Sequence, residues 1–258
     1  MKEKRCPYCL NTNVTRKGMN KKQTKRRYKC KNCLKRYVED GKEYFIDQQK
    51  VELINRLLLE RLSLRGICRA VKVSLRWLMS YIKKLYAKVP EDLHFKPVIT
   101  SKKEQGKYYL RLIKSDRRPG ELDEMWTFVG KRENKRWLWL VQCRDTRQII
   151  AFHIGNRGRE AARKLWKKIP EPLQRYGLFY TDDWDAYQQV LPEERHIVSD
   201  YKKDTNHIER FNNTLRQRVS RLVRKALSFS KSEENHYGAI KYFIAQYNLS
   251  LQPKGTTF

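Results

Sequence analysis

The chain has 258 residues, enough for one large core or for two or three small domains. Its hydrophobic content is 40%, and no apolar run approaches the ~18 residues of a membrane span, so no such span is expected. Lys and Arg number 58 against 28 Asp and Glu, a net charge of +30 that points to a polyanionic partner; with no amphipathic anchor beside the charge, that partner is nucleic acid rather than a membrane.

The charge is unevenly spread. Residues 1–50 carry 16 bases and 5 acids, whereas residues 151–200 carry 8 of each, so acids are gathered in the second half. The opening MKEKRCPYC has no apolar leader, and the expectation is a cytoplasmic protein, nucleoid-associated in a prokaryotic cell.

In chain order, the first feature is Cys6 and Cys9 in CPYC, followed after 20 residues by Cys30 and Cys33 in CKNC. Two such pairs match a four-thiolate Zn2+ site in which each knuckle lends two sulfurs. Residues 1–45 contain too little apolar material to fold alone, so metal binding has to supply folding energy. Disulfides suit a reducing compartment poorly. Val14–Lys17 and Arg26–Lys29 can pair as a short hairpin, which makes residues 1–45 a small zinc ribbon. Lys21, Lys22, Lys25, Arg26 and Arg27 line its loop and one strand, where phosphates can reach them. Cys68 and Cys143 have no spaced partner and read as buried small hydrophobes.

Residues 46–90 turn helical, with Val51, Ile54, Leu57 and Leu58 at helical spacing. Ser63 then caps a short helix over 64–71, Lys72–Val73 form a tight turn, and Ser74 caps a second helix reaching about Tyr86. This is the pattern of a helix-turn-helix, whose second helix enters the major groove. Arg76, Lys83 and Lys84 are candidate DNA contacts, whereas Trp77 and Leu78 pack. An ordinary helical bundle is the alternative; the neighbouring ribbon and the charge favour the DNA-binding reading. Pro90, Pro97 and SKKEQGK make 91–118 a polar connector.

From 119 to 258 the pattern changes again. ELDEMWTFVG, RWLWLVQCRD and RQIIAFHIG read as three antiparallel strands, the second almost continuously apolar and so covered on both faces. A helix over 160–168, a fourth strand GLFYTDD, a short helix WDAYQQV, a fifth strand RHIVS, a long helix from about Thr205 to Lys225 and a last helix over 233–249 follow. That order predicts a ribonuclease-H-like α/β domain with a mixed five-stranded sheet, and the chain as a whole is multidomain α+β.

In that arrangement acids on strand one, at the end of strand four and on a later helix converge. Asp123, Asp182 and Glu209 occupy those places, 59 and 27 positions apart. Phosphodiester cleavage needs an activated water and a stabilised leaving oxygen; two divalent ions about 3.5–4 Å apart supply both when carboxylates hold them. On the long helix Ile208, Phe211, Leu215, Val219 and Leu222 form the packing stripe, and Glu209, Asn212, Asn213 and Arg216 form a second one. Glu124 competes with Asp123, because both faces of the first strand can be buried and alternation does not choose. Asp183 and Asp185 compete with Asp182, which is favoured because it comes first as the strand ends.

ELDEMW, YTDDWDAY and HIERFNNTLRQRVSRLVRKALSFSKS resemble the catalytic blocks of insertion sequence one family transposases, and CPYC…CKNC resembles the zinc finger of that family. The resemblance implies a DDE transposase that binds terminal inverted repeats and carries out metal-dependent strand cleavage and strand transfer. By motif it assigns Asp123, Asp182 and Glu209 to Mg2+ or Mn2+, and Arg216 to the basic position seven residues after the Glu. It implies double-stranded DNA as partner and a homodimer or larger assembly. The alternatives are a zinc-ribbon/helix-turn-helix regulator without catalysis, and a ribonuclease-H-like nuclease that cuts without joining ends.

Overall fold

The structure is a computed structural model that describes residues 4–39, 45–96, 120–199, 204–222 and 228–252. It divides into two compact units, Met1–Arg56 and Leu57–Phe258. The expected connector beyond residue 96 and the expected end of the long helix at 223–225 lie outside the described residues.

In the first unit, β1 (Val14–Met19) pairs antiparallel with β2 (Arg26–Cys30), the expected hairpin. The intervening turn is tied by Asn20, whose Oδ1 accepts the N–H groups of Thr24 and Lys25. A third strand that alternation did not reveal, β3 (Arg36–Val38), pairs with β2 and brings Tyr37 against Tyr28, ring centroids 5.5 Å apart. The buried hydrophobic residues described in this ribbon are Cys6, Tyr28 and Cys30. So small a core cannot offset chain entropy without cross-linking. The helix α1 (Gln48–Leu57) carries the chain across the boundary between the units.

The second unit begins with α2 (Leu64–Val71) and α3 (Leu75–Ala87). Both expected caps are present: Ser63 Oγ accepts the Gly66 N–H and Ser74 Oγ accepts the Trp77 N–H. Between them Lys72 adopts a left-handed conformation, φ 57°, that ends α2. α3 packs on the last helix, α8 (Glu233–Ser250), through Tyr86 and Tyr242. Gly238 makes this approach possible, since a Cβ there would lie 2.4 Å from the Tyr86 ring. The helix pair falls in the same compact unit as the sheet.

The sheet contains β4 (Gly120–Phe128), β5 (Lys135–Cys143), β6 (Ile149–Gly155), β7 (Phe179–Thr181) and β8 (His196–Val198) in the order β6-β5-β4-β7-β8. The first three strands form an antiparallel meander; β7 and β8 run parallel to β4. This is the mixed five-stranded sheet expected. On one face α4 (Arg159–Trp166), α5 (Glu171–Tyr176) and α6 (Asp185–Gln188) pack on Leu122, Trp139, Val141 and Phe179. On the other, α7 (Asn206–Arg218) and α8 pack on Met125, Leu138, Leu140 and Phe152. Cover on both faces explains the unbroken apolar run in β5. The buried Asn248 of α8 stitches this layer to the edge strand: its carboxamide accepts the Ile149 N–H at 2.7 Å and donates to the Ile149 carbonyl at 2.9 Å.

α7 is shorter than its apolar periodicity suggests. It ends at Arg218, Val219 turns extended (φ −89°, ψ 102°), and a 3-10 turn follows over Ser220–Leu222. Val219 and Leu222 still enter the same core as Ile208, Phe211 and Leu215, so the burial pattern runs on although the helix does not. Among the described residues, no helix is long and apolar enough to cross a membrane.

Candidate active site

β4 is the central strand, yet β7 pairs with it only through Gly120↔Phe179 and Glu121↔Tyr180. Beyond that point β7 has ended, and among the described residues no further strand pairs with the C-terminal half of β4 on that side. A crevice where parallel strands separate at their carboxyl ends is the usual place for a ligand in an open α/β sheet. Asp123 follows the last paired residues of β4 by two positions, and Asp182 follows the last residue of β7. Their register makes them neighbours.

Asp123, Glu124 and Asp182 each offer an oxygen within 4.8 Å of the others; among the described residues, the only other such group of metal-ligating side chains is the four cysteines. Asp123 is partly exposed, Glu124 buried and Asp182 exposed. Asp123 Oδ1 accepts the backbone N–H of Glu124 at 2.8 Å, and Oδ2 accepts from Asn212 Nδ2 at 2.6 Å. Burial, reinforced by the negative charges of Glu124 and Asp182, pushes the Asp123 carboxyl up to about 7 against these hydrogen bonds. Desolvation likewise raises Glu124 and Asp182, in Asp182 against the pull of Arg157. Three acids held this close repel one another unless a cation or a proton is shared among them.

The competing acids differ in what occupies them. Both oxygens of Glu124 are taken. Tyr187 donates its hydroxyl to Oε2 at 2.8 Å, and Arg157 places Nε at 3.0 Å and Nη2 at 2.9 Å from Oε1. The Arg157 guanidinium also lies over the rings of Trp137 and Trp184, its Cζ 4.5 and 3.9 Å from their centroids. Asp183 accepts from Gln188 Nε2 at 2.6 Å and so ties down the turn entering α6. Asp182 meets the backbone N–H of Trp184 and faces Asp123.

Glu209 lies half-buried in the first turn of α7 and is not one of the three clustered acids. It sits three residues before Asn212, about 60° round the helix and about 4.5 Å back along its axis, on the side that reaches Asp123. Arg216 is four residues beyond Asn212, half-buried on that same side. Residues that sequence patterns did not single out complete the site. Arg157 and Tyr187 partner Glu124; Glu121, which shares a face of β4 with Asp123, accepts the backbone N–H groups of His207 and Ile208. The i, i+2 spacing of Glu121 and Asp123 was the available signal.

The cysteines form the second cluster. Cys6 and Cys33 sulfurs lie 3.6 Å apart, as do those of Cys9 and Cys30. These distances are far beyond a disulfide bond of about 2.05 Å and close to the ~3.8 Å edge of a tetrahedron with metal–sulfur bonds of about 2.3 Å. All four are free thiols. The two knuckles repeat one backbone pattern. Cys6 N–H bonds Asn11 O and Cys30 N–H bonds Lys35 O, while Leu10 and Leu34, each just after the second cysteine, adopt left-handed φ of 58° and 59°. The Asn11 backbone N–H draws Cys9 down to about 7, whereas burial pushes Cys33 up to about 12. A four-cysteine cluster able to hold a metal ion is thus preformed in the fold.

Of the basic candidates, Lys21, Lys22, Lys25, Arg26 and Arg27 are all exposed on the ribbon, and Arg76 and Lys84 are exposed on α3. Lys83 is exposed too, with its Nζ 3.2 Å from Glu234 of α8. Trp77 stacks on Tyr81, centroids 5.1 Å apart, and Leu78 is buried.

Comparison with known proteins matches this architecture. The IS1 transposase family model covers residues 119–249, which span the whole sheet, Asp123, Asp182 and α7. InsB of insertion element iso-IS1n from Shigella dysenteriae is 38% identical over 127 residues, 49% of this chain and 94% of that protein. InsB of an IS1 element from Shigella flexneri is 36% identical over 124 residues, 48% of this chain and 92% of its own length. InsB of IS1 4 from Escherichia coli (strain K12) is 36% identical over 124 residues, 48% and 72% of the two chains. With its sheet order, its cluster of acids on β4 and at the end of β7 and this match over half of its length, the chain belongs to the IS1 transposase family.

Proposed function

We propose that this protein binds the terminal inverted repeats of an insertion element and, with Asp123, Asp182 and Glu209 as ligands of Mg2+ or Mn2+, cuts and rejoins DNA strands. The observation that carries the reading is the juxtaposition of Asp123 on β4 and Asp182 at the end of β7, with α7 tied to Asp123 through Asn212. The donor set is hard oxygen, suited to these ions and not to softer metals. Asn212 Oδ1 is buried without a hydrogen-bond partner among the described residues, and beside these acids it can accept from an ordered water.

Bound divalent ions would activate the attacking oxygen and stabilise the leaving one. The chain's own groups do the rest. Asp123 and Asp182 offer carboxylates from two rigid strands. Asn212 orients Asp123, and Glu209 closes the site from α7. Glu124, neutralised by Arg157 and Tyr187, supports the strand edge rather than the ions. Arg216, two turns after Glu209, meets a DNA phosphate. Water first breaks the phosphodiester at the element end and leaves a free 3′-hydroxyl. That hydroxyl then attacks a target phosphodiester, forming one bond as another breaks, with no covalent protein intermediate.

Zn2+ in the four-cysteine cluster would hold the ribbon, whose loop bases Lys21, Lys22, Lys25, Arg26 and Arg27 grip phosphates. Arg76 and Lys84 of α3 face DNA; Lys83, beside Glu234, makes the smaller contribution. Joining needs two element ends together, so the working form is a dimer or larger, acting on DNA inside the cell. The test is strand cleavage and joining on repeat-ended DNA with Mg2+. Asp182→Ala and Glu209→Ala should each abolish both reactions while repeat binding persists. Full cleavage by both variants would refute the site assignment.

A further inference from the structure

The helix that carries Glu209 is anchored in an unusual way. α2, α3 and α8 are capped by the serine just before them, Ser63, Ser74 and Ser232. Thr205, at the equivalent position of α7, makes no side-chain cap. The orphan amides of its first turn are held from the sheet instead. Glu121, fully buried on β4, accepts the backbone N–H groups of His207 and Ile208 on Oε2, both at 3.0 Å. Its Oε1 faces Arg144 Nε at 3.3 Å, and Arg144 Nη1 reaches Asp204, just before α7, at 3.5 Å. The Arg144 guanidinium is itself held over the Tyr180 ring at 4.5 Å.

A fully buried carboxylate is a costly way to cap a helix that a serine could cap locally. What the carboxylate adds is register. Glu121 stands two residues before Asp123 on the same face of β4. The strand therefore holds α7 at two points, through Glu121 at His207 and Ile208 and through Asp123 at Asn212. Glu209 lies between them.

We propose that Glu121 is a positioning residue: it sets the register of α7 on β4 and thereby aims Glu209 at the Asp123–Asp182 pair. This role rests on the catalytic reading above. Glu121→Asp keeps the charge but withdraws the carboxylate by about 1.5 Å, one carbon–carbon bond. Glu121→Gln keeps the reach and one acceptor oxygen but loses the charge.

The experiment uses the full-length, zinc-loaded protein and measures cleavage of repeat-ended DNA as a function of Mg2+, beside DNA affinity and thermal unfolding. Glu121→Asp should fold and bind DNA like the wild type. Its kcat should fall by about ten- to a hundredfold, the usual consequence of misplacing a reacting group by about 1 Å. Its half-saturating Mg2+ concentration should rise, and Glu121→Gln should recover part of the rate. A folded Glu121→Asp protein with the wild-type rate and Mg2+ dependence overturns the proposal, as does a loss of melting temperature with kcat unchanged. Asp182→Ala and Glu209→Ala run alongside. If they abolish cleavage while Glu121→Asp does not, the positioning role alone fails; if they retain cleavage, the catalytic reading fails with it.

Discussion

Replacing Asp123 by Asn should make the protein more stable and inactive at once. In the absence of Mg2+, the Asp123 carboxyl is held at about 7 by burial and by the charges of Glu124 and Asp182, against an ordinary 3.8. A shift of that size corresponds to about 4 kcal/mol of unfavourable interaction when the group is ionised. The folded pKa is raised above the unfolded one, so the folded state binds the extra proton. Stability should therefore fall as pH rises from about 4 to about 7 and then level off. The variant loses little hydrogen bonding, because its Oδ1 can still accept the Glu124 N–H. The unpartnered Asn212 Oδ1 can turn to accept the new amide. Discounted by half for solvent screening at a side chain that is only partly buried, about 2 kcal/mol should be gained above pH 7.5, or about 4–8 °C in melting temperature for a unit of this size. The assay is thermal unfolding of both proteins from pH 5 to 8.5, dialysed free of Mg2+ with zinc retained. The gain should vanish toward pH 5, and Mg2+ should stabilise the wild type alone. A variant that melts below the wild type at pH 8, or a gain that does not depend on pH, would refute the view that the clustered charge costs stability until a cation joins it.

Other consequences concern the supports of the site. Arg157→Ala strips the cation from Glu124, whose side chain is 2% exposed, and should cost about 2 kcal/mol in urea unfolding at pH 7.5, less than a wholly buried pair because Arg157 is itself 36% exposed. Arg157→Lys should recover little, since an ammonium cannot reproduce the two-nitrogen contact with Glu124 while covering the rings of Trp137 and Trp184. Gly238→Ala drives a methyl to 2.4 Å from the Tyr86 ring and should cost about 1–3 kcal/mol by wedging α3 off α8, with partial rescue by Tyr86→Leu. Removal of zinc with a strong chelator should abolish amide protection in β1–β3, because Tyr28 is the one large side chain buried among the described ribbon residues. Protection that survives in a verified metal-free sample would mean that the ribbon folds without its ion.

Local chemistry made much of this protein legible. The paired C-x-x-C spacing, the Ser63 and Ser74 caps and the order of the five sheet strands each depend on residues close in sequence, and each is present in the fold, whereas the short helix α5 was not expected. The ribbon's third strand was hidden because three residues carry too little alternation, and the early end of α7 was hidden because Val219 and Leu222 stay buried after the helix stops. The acids could not be sorted from the sequence for a different reason. Helices cover both faces of β4, so alternation marks Asp123 and Glu124 as equally buriable. What separates them is contact with Asn212 on one side and with Arg157 and Tyr187 on the other, residues 33 to 89 positions away. Glu121 belongs to the same class: its bonds to His207 and Ile208 exist only because folding sets the first turn of α7 over β4. Spacing along the chain can specify a metal knuckle or a cap, but where both sides of a strand are buried, the work of each carboxylate is set by the partner that long-range packing brings to it.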